Sequence, residues 1–242
     1  MPRFFIDQPL TADAELSLPD AVVRHVQVLR LNAGDALTLF NGAPADWECP
    51  ATVLSVGKRE VRVQLGAAQQ VSRESPLWLG LAQGISSGER MDFTLQKGVE
   101  MGVSVFQPLT TRRSIVRLQG ERADKRLARW RDIIVSACEQ CGRNTVPALQ
   151  PIMAVEDWLA QSAQLDGARL MLSPQGSARL AQLPTVNAAW LLAGPEGGLT
   201  DEEERAALRA GWTGLTLGPR ILRTETAALA AVAAMQQRWG DY

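Results

Sequence analysis

Gly194-Pro195-Glu196-Gly197-Gly198 and Leu217-Gly218-Pro219-Arg220-Ile221-Leu222-Arg223-Thr224-Glu225-Thr226 are the two stretches whose reading decides the fold. Each follows a short apolar run of strand length and each leads into a helical pattern. Ala188 to Ala193 is continuously apolar, as a strand buried on both faces should be. Thr200 with Glu203 then makes a capping box opening a helix that Gly211 stops. The second unit repeats the order: Gly214 to Leu217 reads as a strand, and Thr224 as the cap of an Ala-rich helix from Glu225 to about Trp239. Two strand-turn-helix units of this kind place both turns at the carboxyl edge of one parallel sheet, where α/β proteins bind ligands.

Neither turn matches the commoner nucleotide motifs. No Gly-x-Gly-x-x-Gly opens a helix and no Gly-x-x-x-x-Gly-Lys-[Ser/Thr] occurs, so an ordinary dinucleotide-binding or P-loop reading is poorly supported. Gly-Pro and Gly-Gly pairs also punctuate plain tight turns, so each turn alone says little.

Working outward, the series continues upstream. Leu77 to Ala82 reads as a strand, Arg90 to Met101 as a helix, Val105 to Leu109 as a strand, and Leu170-Met171-Leu172 as another. Strands alternating with helices imply a parallel sheet. The first seventy residues differ. Arg3 to Ile6 is a strand candidate, Ser17 and Asp20 frame Pro19 as a capping box for a short helix, and Ala36 to Phe40 leads through Asn41-Gly42 into a return strand ending at Val56. Glu60 to Leu65 alternates polar and apolar. Ala67 to Pro76 has the polar composition of a linker. The expected domains are therefore 1–70, β-rich, and 77–242, α/β, with 71–76 between them.

Composition narrows the function. The chain has 242 residues, 46% of them hydrophobic, enough for ordinary globular cores. The longest apolar run, Ala227 to Met235, is too short to span a bilayer, and no signal-type leader opens the sequence, so a cytosolic address is expected. Cys138 and Cys141 have redox or zinc spacing, but only Cys49 and His25 remain to complete a zinc site, so no metal is expected. The two thiols instead continue the apolar face of Leu127, Trp130 and Ile134. A net charge of −1 argues against indiscriminate nucleic-acid binding. The charge is uneven, however. From Arg112 to Arg143 nine basic residues face four acidic ones, and Arg122, Lys125, Arg126 and Arg129 share one helix face. Guanidinium groups suit phosphate, so the stripe is a candidate RNA footprint, although charged helix faces are also simply solvated.

Taken together, GPEGGLTDEE at 194–203 and LGPRILRTETAALAA at 217–231 resemble the signature segments of the RsmE family, the 16S ribosomal RNA uridine N3-methyltransferases of the SPOUT superfamily. His25 to Leu31 with Gly34-Asp35, Gln96 to Val103, and Glu139 to Arg143 with Pro147 are similar to further family segments, in the same order. Gly98 and Met101 depart from the usual Ala and Leu at helix positions. The resemblance implies a small PUA-like β-barrel at the N-terminus, a SPOUT-type parallel sheet with a C-terminal trefoil knot, and a homodimer acting on 16S rRNA within the small subunit.

It also implies a site for S-adenosylmethionine. Carried over by motif, the pocket is made by Leu172 and Ser173, by Gly194, Pro195, Glu196, Gly197 and Gly198, and by Leu217, Gly218, Ile221, Leu222 and Thr224. Methyl transfer to uracil N3 requires an unpaired base and loss of the N3 proton. Arg223 is the candidate for stabilising the developing anion, with Glu196 or Glu225 as acceptor. The expected RNA contacts are Arg3, Arg24, His25 and Arg30 in the first domain, and Arg112, Arg113, Arg122, Arg126, Arg129 and Arg143 beyond it. A non-catalytic RNA-binding protein and a small-molecule enzyme using the same sheet edge are the alternatives; only the first of these two shares the dependence on the Arg stripe.

Overall fold

Alternating valines and leucines across the first seventy residues build a mostly antiparallel sheet. In the computed structural model, which describes residues 1–43 and 45–242, the strands are β1 (Arg3–Phe5), β2 (Glu15–Ser17), β3 (Ala36–Phe40), β4 (Trp47–Val56), β5 (Val61–Leu65) and β6 (Gln69–Gln70), with helix α1 (Asp20–Val28) following β2. Their order is β1-β3-β4-β5-β2, β6 lies on β4, and only β1 with β3 runs parallel. Val22, Val23 and Val26 of α1 join Leu37, Leu39, Val53, Val61 and Val63 in one core. The expected Ser17/Asp20 capping box does not form. Pro19 is the N-cap and has no cap hydrogen bond, while Ser17 belongs to β2 and its hydroxyl donates to Glu60 at 2.7 Å, because strand pairing claims the backbone that a cap would need.

The chain divides into two units, Met1–Glu74 with Cys138–Val146, and Ser75–Ala137 with Pro147–Tyr242. Residues 138–146 belong with the first because they are bonded into it: Glu139 accepts the Phe5 N–H at 2.9 Å, and Asn144 donates to Glu48 and to the Val71 carbonyl. Cys138 is buried and its thiol is pushed up to about 12 by burial. Cys49 is also buried, and all three cysteines are free.

The second unit contains β7 (Trp78–Gly84), α2 (Arg90–Glu100), β8 (Val105–Thr110), most of α3 (Glu121–Cys141), β9 (Ala148–Leu149), β10 (Met153–Ala154), α4 (Val155–Gln161), β11 (Ala168–Leu172), β12 (Ala188–Ala193), α5 (Asp201–Arg209), β13 (Thr213–Leu215) and α6 (Thr224–Trp239). The sheet order is β10-β8-β7-β12-β11-β13 with β9 beside β8, and every pair is parallel. Helix α4 and the two-residue strands went unread because segments so short carry no measurable period. Thr216 and Leu217, expected in the last strand, lie in the turn after it.

Aromatic packing fixes one side of this sheet. Trp190 of β12 stacks edge-on with Trp78 at 5.3 Å and Trp158 at 5.7 Å, and Trp158 meets Trp212 at 5.2 Å. The Trp212 indole N–H, which burial would otherwise orphan, donates to Ser162 at 2.9 Å. Helix α6 packs along α2 and β12, and its buried Gln236 donates to the Met101 carbonyl at 2.7 Å while accepting from Ser75 at 2.6 Å. Trp239, at the end of α6, is also buried.

Gly80 sits opposite Trp190 in the ladder, and a Cβ there would lie 2.4 Å from the indole. Gly80→Ala is expected to cost about 1–3 kcal/mol through overpacking, read as a lowered thermal unfolding midpoint; an unchanged midpoint would mean that the tryptophan cluster yields freely.

Candidate functional site

The carboxyl edge of the parallel sheet bears three turns, after β11, β12 and β13, and they close around one cavity of about 330 Å³. All twelve residues expected to bind a cofactor line it: Leu172 and Ser173; Gly194, Pro195, Glu196, Gly197 and Gly198; Leu217, Gly218, Ile221, Leu222 and Thr224. Arg113, Asp201, Glu204 and Arg220 line it too, and were not assigned to the pocket from sequence.

The turns hold their shape through a small set of bonds. Gly194 has no room for a side chain, since a Cβ would lie 2.8 Å from the Gly198 carbonyl carbon. Its own carbonyl accepts from the Thr224 hydroxyl at 2.6 Å and from the Gln83 amide at 3.1 Å. Gln83, only 1% exposed at the end of β7, also donates to Thr224 Oγ1 at 3.0 Å. Thr224 is thus the first residue of α6 and ties it to the first turn; the N-cap is Arg223, contrary to the expected Thr224 cap. The Thr200/Glu203 capping box forms as read, with bonds of 2.6 and 3.3 Å. Sequence could not show that buried Glu203 also accepts the Arg112 N–H at 2.9 Å. The segment after β11 runs alongside the last strand in a parallel bridge of Ala178 with Leu215: Ala178 N–H donates to the Gly214 carbonyl, and Thr216 N–H to that of Ala178.

Glu196 is the most constrained acid in the cavity. Its Oε1 accepts from the Ser87 N–H and hydroxyl, both at 2.6 Å, and from Arg90 at 2.9 Å. Burial pushes its titration up, but the bonds from Ser87 and Arg90 outweigh this and hold it at about 2. Arg90 also lies 3.8 Å from Glu225 Oε1. Arg223, exposed, and Glu225, half-buried, flank Thr224 without lining the cavity.

The cations expected to meet RNA fall into distinct settings. Arg113 is a brace: its Nη1 donates to the carbonyls of Gly197 and Leu199 at 2.9 and 3.1 Å. Arg112 is exposed and paired with Glu156 and Glu202. On α3, Arg122 is exposed, Arg126 half-buried, and Arg129 bonds Asp92 at 2.6 Å, a carboxylate that also accepts the Trp130 indole N–H. In the first unit Arg24, His25 and Arg30 are exposed, whereas Arg3 is half-buried between Glu48 and Asn144. Arg143 is 3% exposed and paired with Glu74, so its guanidinium serves the unit's interior and is closed to an RNA strand.

Because Glu196 titrates lower folded than unfolded, it stabilises the fold fully above the ordinary carboxylate value of 4.5 and loses that contribution as pH falls toward about 2. Acid titration of unfolding stability is expected to show a weaker dependence over this window in Glu196→Gln than in the native chain; identical acid limbs would contradict it.

Residues 73–236 match the model of the RNA methyltransferase domain family. Among curated relatives, ribosomal RNA small subunit methyltransferase E of Bacillus subtilis is 34% identical, covering 97% of this chain and 96% of that protein. The enzyme of the same name from Buchnera aphidicola (subsp. Schizaphis graminum) is 31% identical, covering 100% and 98%. A crystal structure of ribosomal RNA small subunit methyltransferase E from Neisseria gonorrhoeae, bound to S-adenosyl methionine, superimposes with a TM-score of 0.92 at 43% identity, covering 100% of this chain and 99% of that one. The turns around the cavity, the family model and these full-length matches agree: the chain belongs to the ribosomal RNA small subunit methyltransferase E family.

Proposed function

We propose that this chain transfers the methyl group of S-adenosylmethionine to N3 of a specific uridine in 16S rRNA, acting in the cytoplasm as a homodimer on the assembled small subunit. The observation that carries the reading is the single cavity at which all three turns meet, in a chain of this family. Its lining suits a cationic nucleoside. Glu196 Oε2 is buried with no hydrogen-bond partner, and Asp201 and Glu204 line the same cavity beside Arg113 and Arg220, so three carboxylates are available to a sulfonium or ammonium group. Leu215, Leu217, Ile221 and Leu222 supply apolar contact for a purine.

When bound, S-adenosylmethionine supplies an electrophilic methyl group. The chain's own part is to hold, orient and balance charge. The backbone of 194–198 and 217–222 would hold the nucleoside, and fixed turns reduce the cost of reaching attack geometry. Arg223 is assigned the negative charge that develops on uracil O2 or O4 as the N3 proton leaves. Of the two carboxylates, Glu225 is the better acceptor. Glu196 has Oε1 committed to three donors and titrates at about 2, which makes it a poor base.

The first unit is read as a PUA-like β-barrel that contacts RNA through Arg24, His25 and Arg30, with Arg3 at its edge. Arg112, Arg122, Arg126 and Arg129 are the RNA contacts of the second. The segment after β11 is read as part of the trefoil knot; the parallel bridge of Ala178 alongside Leu215 of β13 supports it.

Calorimetry should show one S-adenosylmethionine per chain, lost in Gly197→Trp, where even a Cβ would lie 3.0 Å from Arg113. Arg223→Ala should keep that binding and lose roughly 100-fold in methylation rate, followed by mass spectrometry of 16S rRNA within small subunits. A native chain that ignores the donor, or full activity in Arg223→Ala, would overturn the assignment.

A further inference from the structure

Arg90 opens α2, the end of a helix where the macrodipole disfavours a cation. Two carboxylates explain it. Glu196 of the first turn lies 2.9 Å from Arg90 Nη1, and Glu225 at the start of α6 lies 3.8 Å from Nε. Both acids keep a second oxygen, Oε2, that is buried without a hydrogen-bond partner. The guanidinium therefore stands between two acids carried by different turns, one of which lines the cavity while the other follows Arg223.

We propose that Arg90 is a positioning residue for methyl transfer, bridging Glu196 and Glu225 so that the donor-binding turn and the Arg223 turn keep one fixed relative placement. The inference rests on the donor reading above. Arg90 contributes no atom to the cavity lining; it acts through the two carboxylates. The bridge is complementary to the Thr224 hydroxyl bond to Gly194. That bond sets the distance between the turns, and Arg90 neutralises the like charges that closing the distance brings together.

The charged groups around Glu196 are Arg90 from α2, Glu225 from α6, Arg113 from the segment after β8, and Asp201 and Glu204 from α5. Arg90 is the cation bonded to the carboxylate itself, since Arg113 is committed to the carbonyls of Gly197 and Leu199. Without Arg90, Glu196 keeps its two bonds from Ser87 but loses the cation that links it to Glu225.

Arg90→Met and Arg90→Lys test this in the full chain by calorimetry with S-adenosylmethionine. Arg90→Met is expected to weaken donor binding roughly tenfold at neutral pH, the scale of a lost charge-assisted bond. Arg90→Lys is expected to stay within about threefold, because a point charge still serves both acids. Hydrogen exchange without ligand gives an independent readout: the amides of Gly198 and Ala227, each bonded at 2.8 Å, should exchange faster in Arg90→Met than in Arg90→Lys. Equal affinities for native and Met forms, or equal losses in Met and Lys, would overturn the bridge. If the native chain binds no donor, the donor reading falls and unchanged exchange at those two amides would refute the bridge separately.

Discussion

The carbonyl of Gly194 is the point on which the second unit's ligand edge depends. It accepts from Thr224 at the start of α6 and from Gln83 at the end of β7, so one backbone oxygen joins three segments distant in sequence. The constraint is steric as well as polar. A side chain at 194 would strike the backbone of Gly198, and opening the turn to admit it would pull the carbonyl away from both donors. An orphaned buried amide costs about as much as a lost hydrogen bond, and Gln83 already leaves its Oε1 without a partner. The turn therefore has little freedom to rearrange.

From that point the chemistry follows by placement. Fixing Thr224 fixes Arg223 before it and Glu225 after it, so α6 aims the candidate catalytic cation from the same residue that shapes the cavity. Glu196 is drawn the other way, onto Ser87 and Arg90. The cavity is thus bounded by turns each anchored to a different neighbour. Such a site tolerates change in its exposed apolar rim, where Ile221 is 81% exposed, far better than change in its anchors.

Much of this was legible in the sequence. The apolar run 188–193, the glycine turn and the Thr200/Glu203 box announce a strand, a turn and a helix because there the local pattern and the tertiary pairing agree. The cavity residues were legible as a set through the resemblance of 194–203 and 217–231 to family segments, since glycine turns by themselves also punctuate ordinary loops. What stayed hidden depended on long-range partners. Arg90 reads as an ordinary first-turn residue until Glu196 and Glu225 arrive beside it. Arg113 and Arg143 read as surface cations; one proves to brace the first turn and the other to be buried against Glu74. Thr224 looks like a helix cap, since nothing local reveals that its hydroxyl is taken by Gly194. Ser17 misled for the converse reason: its capping pattern is intact, but pairing of β2 with β5 outbids it.

The central claim is that these anchored turns form the methyl-donor site. A crystal structure with S-adenosylhomocysteine, the product left when the donor gives up its methyl group, tests it most directly. The account predicts density for the nucleoside between residues 194–198 and 217–222, with Leu172 and Ser173 beside it and the Thr224 to Gly194 bond intact. Density elsewhere on the chain, or a cavity that stays empty at saturating ligand, would contradict it.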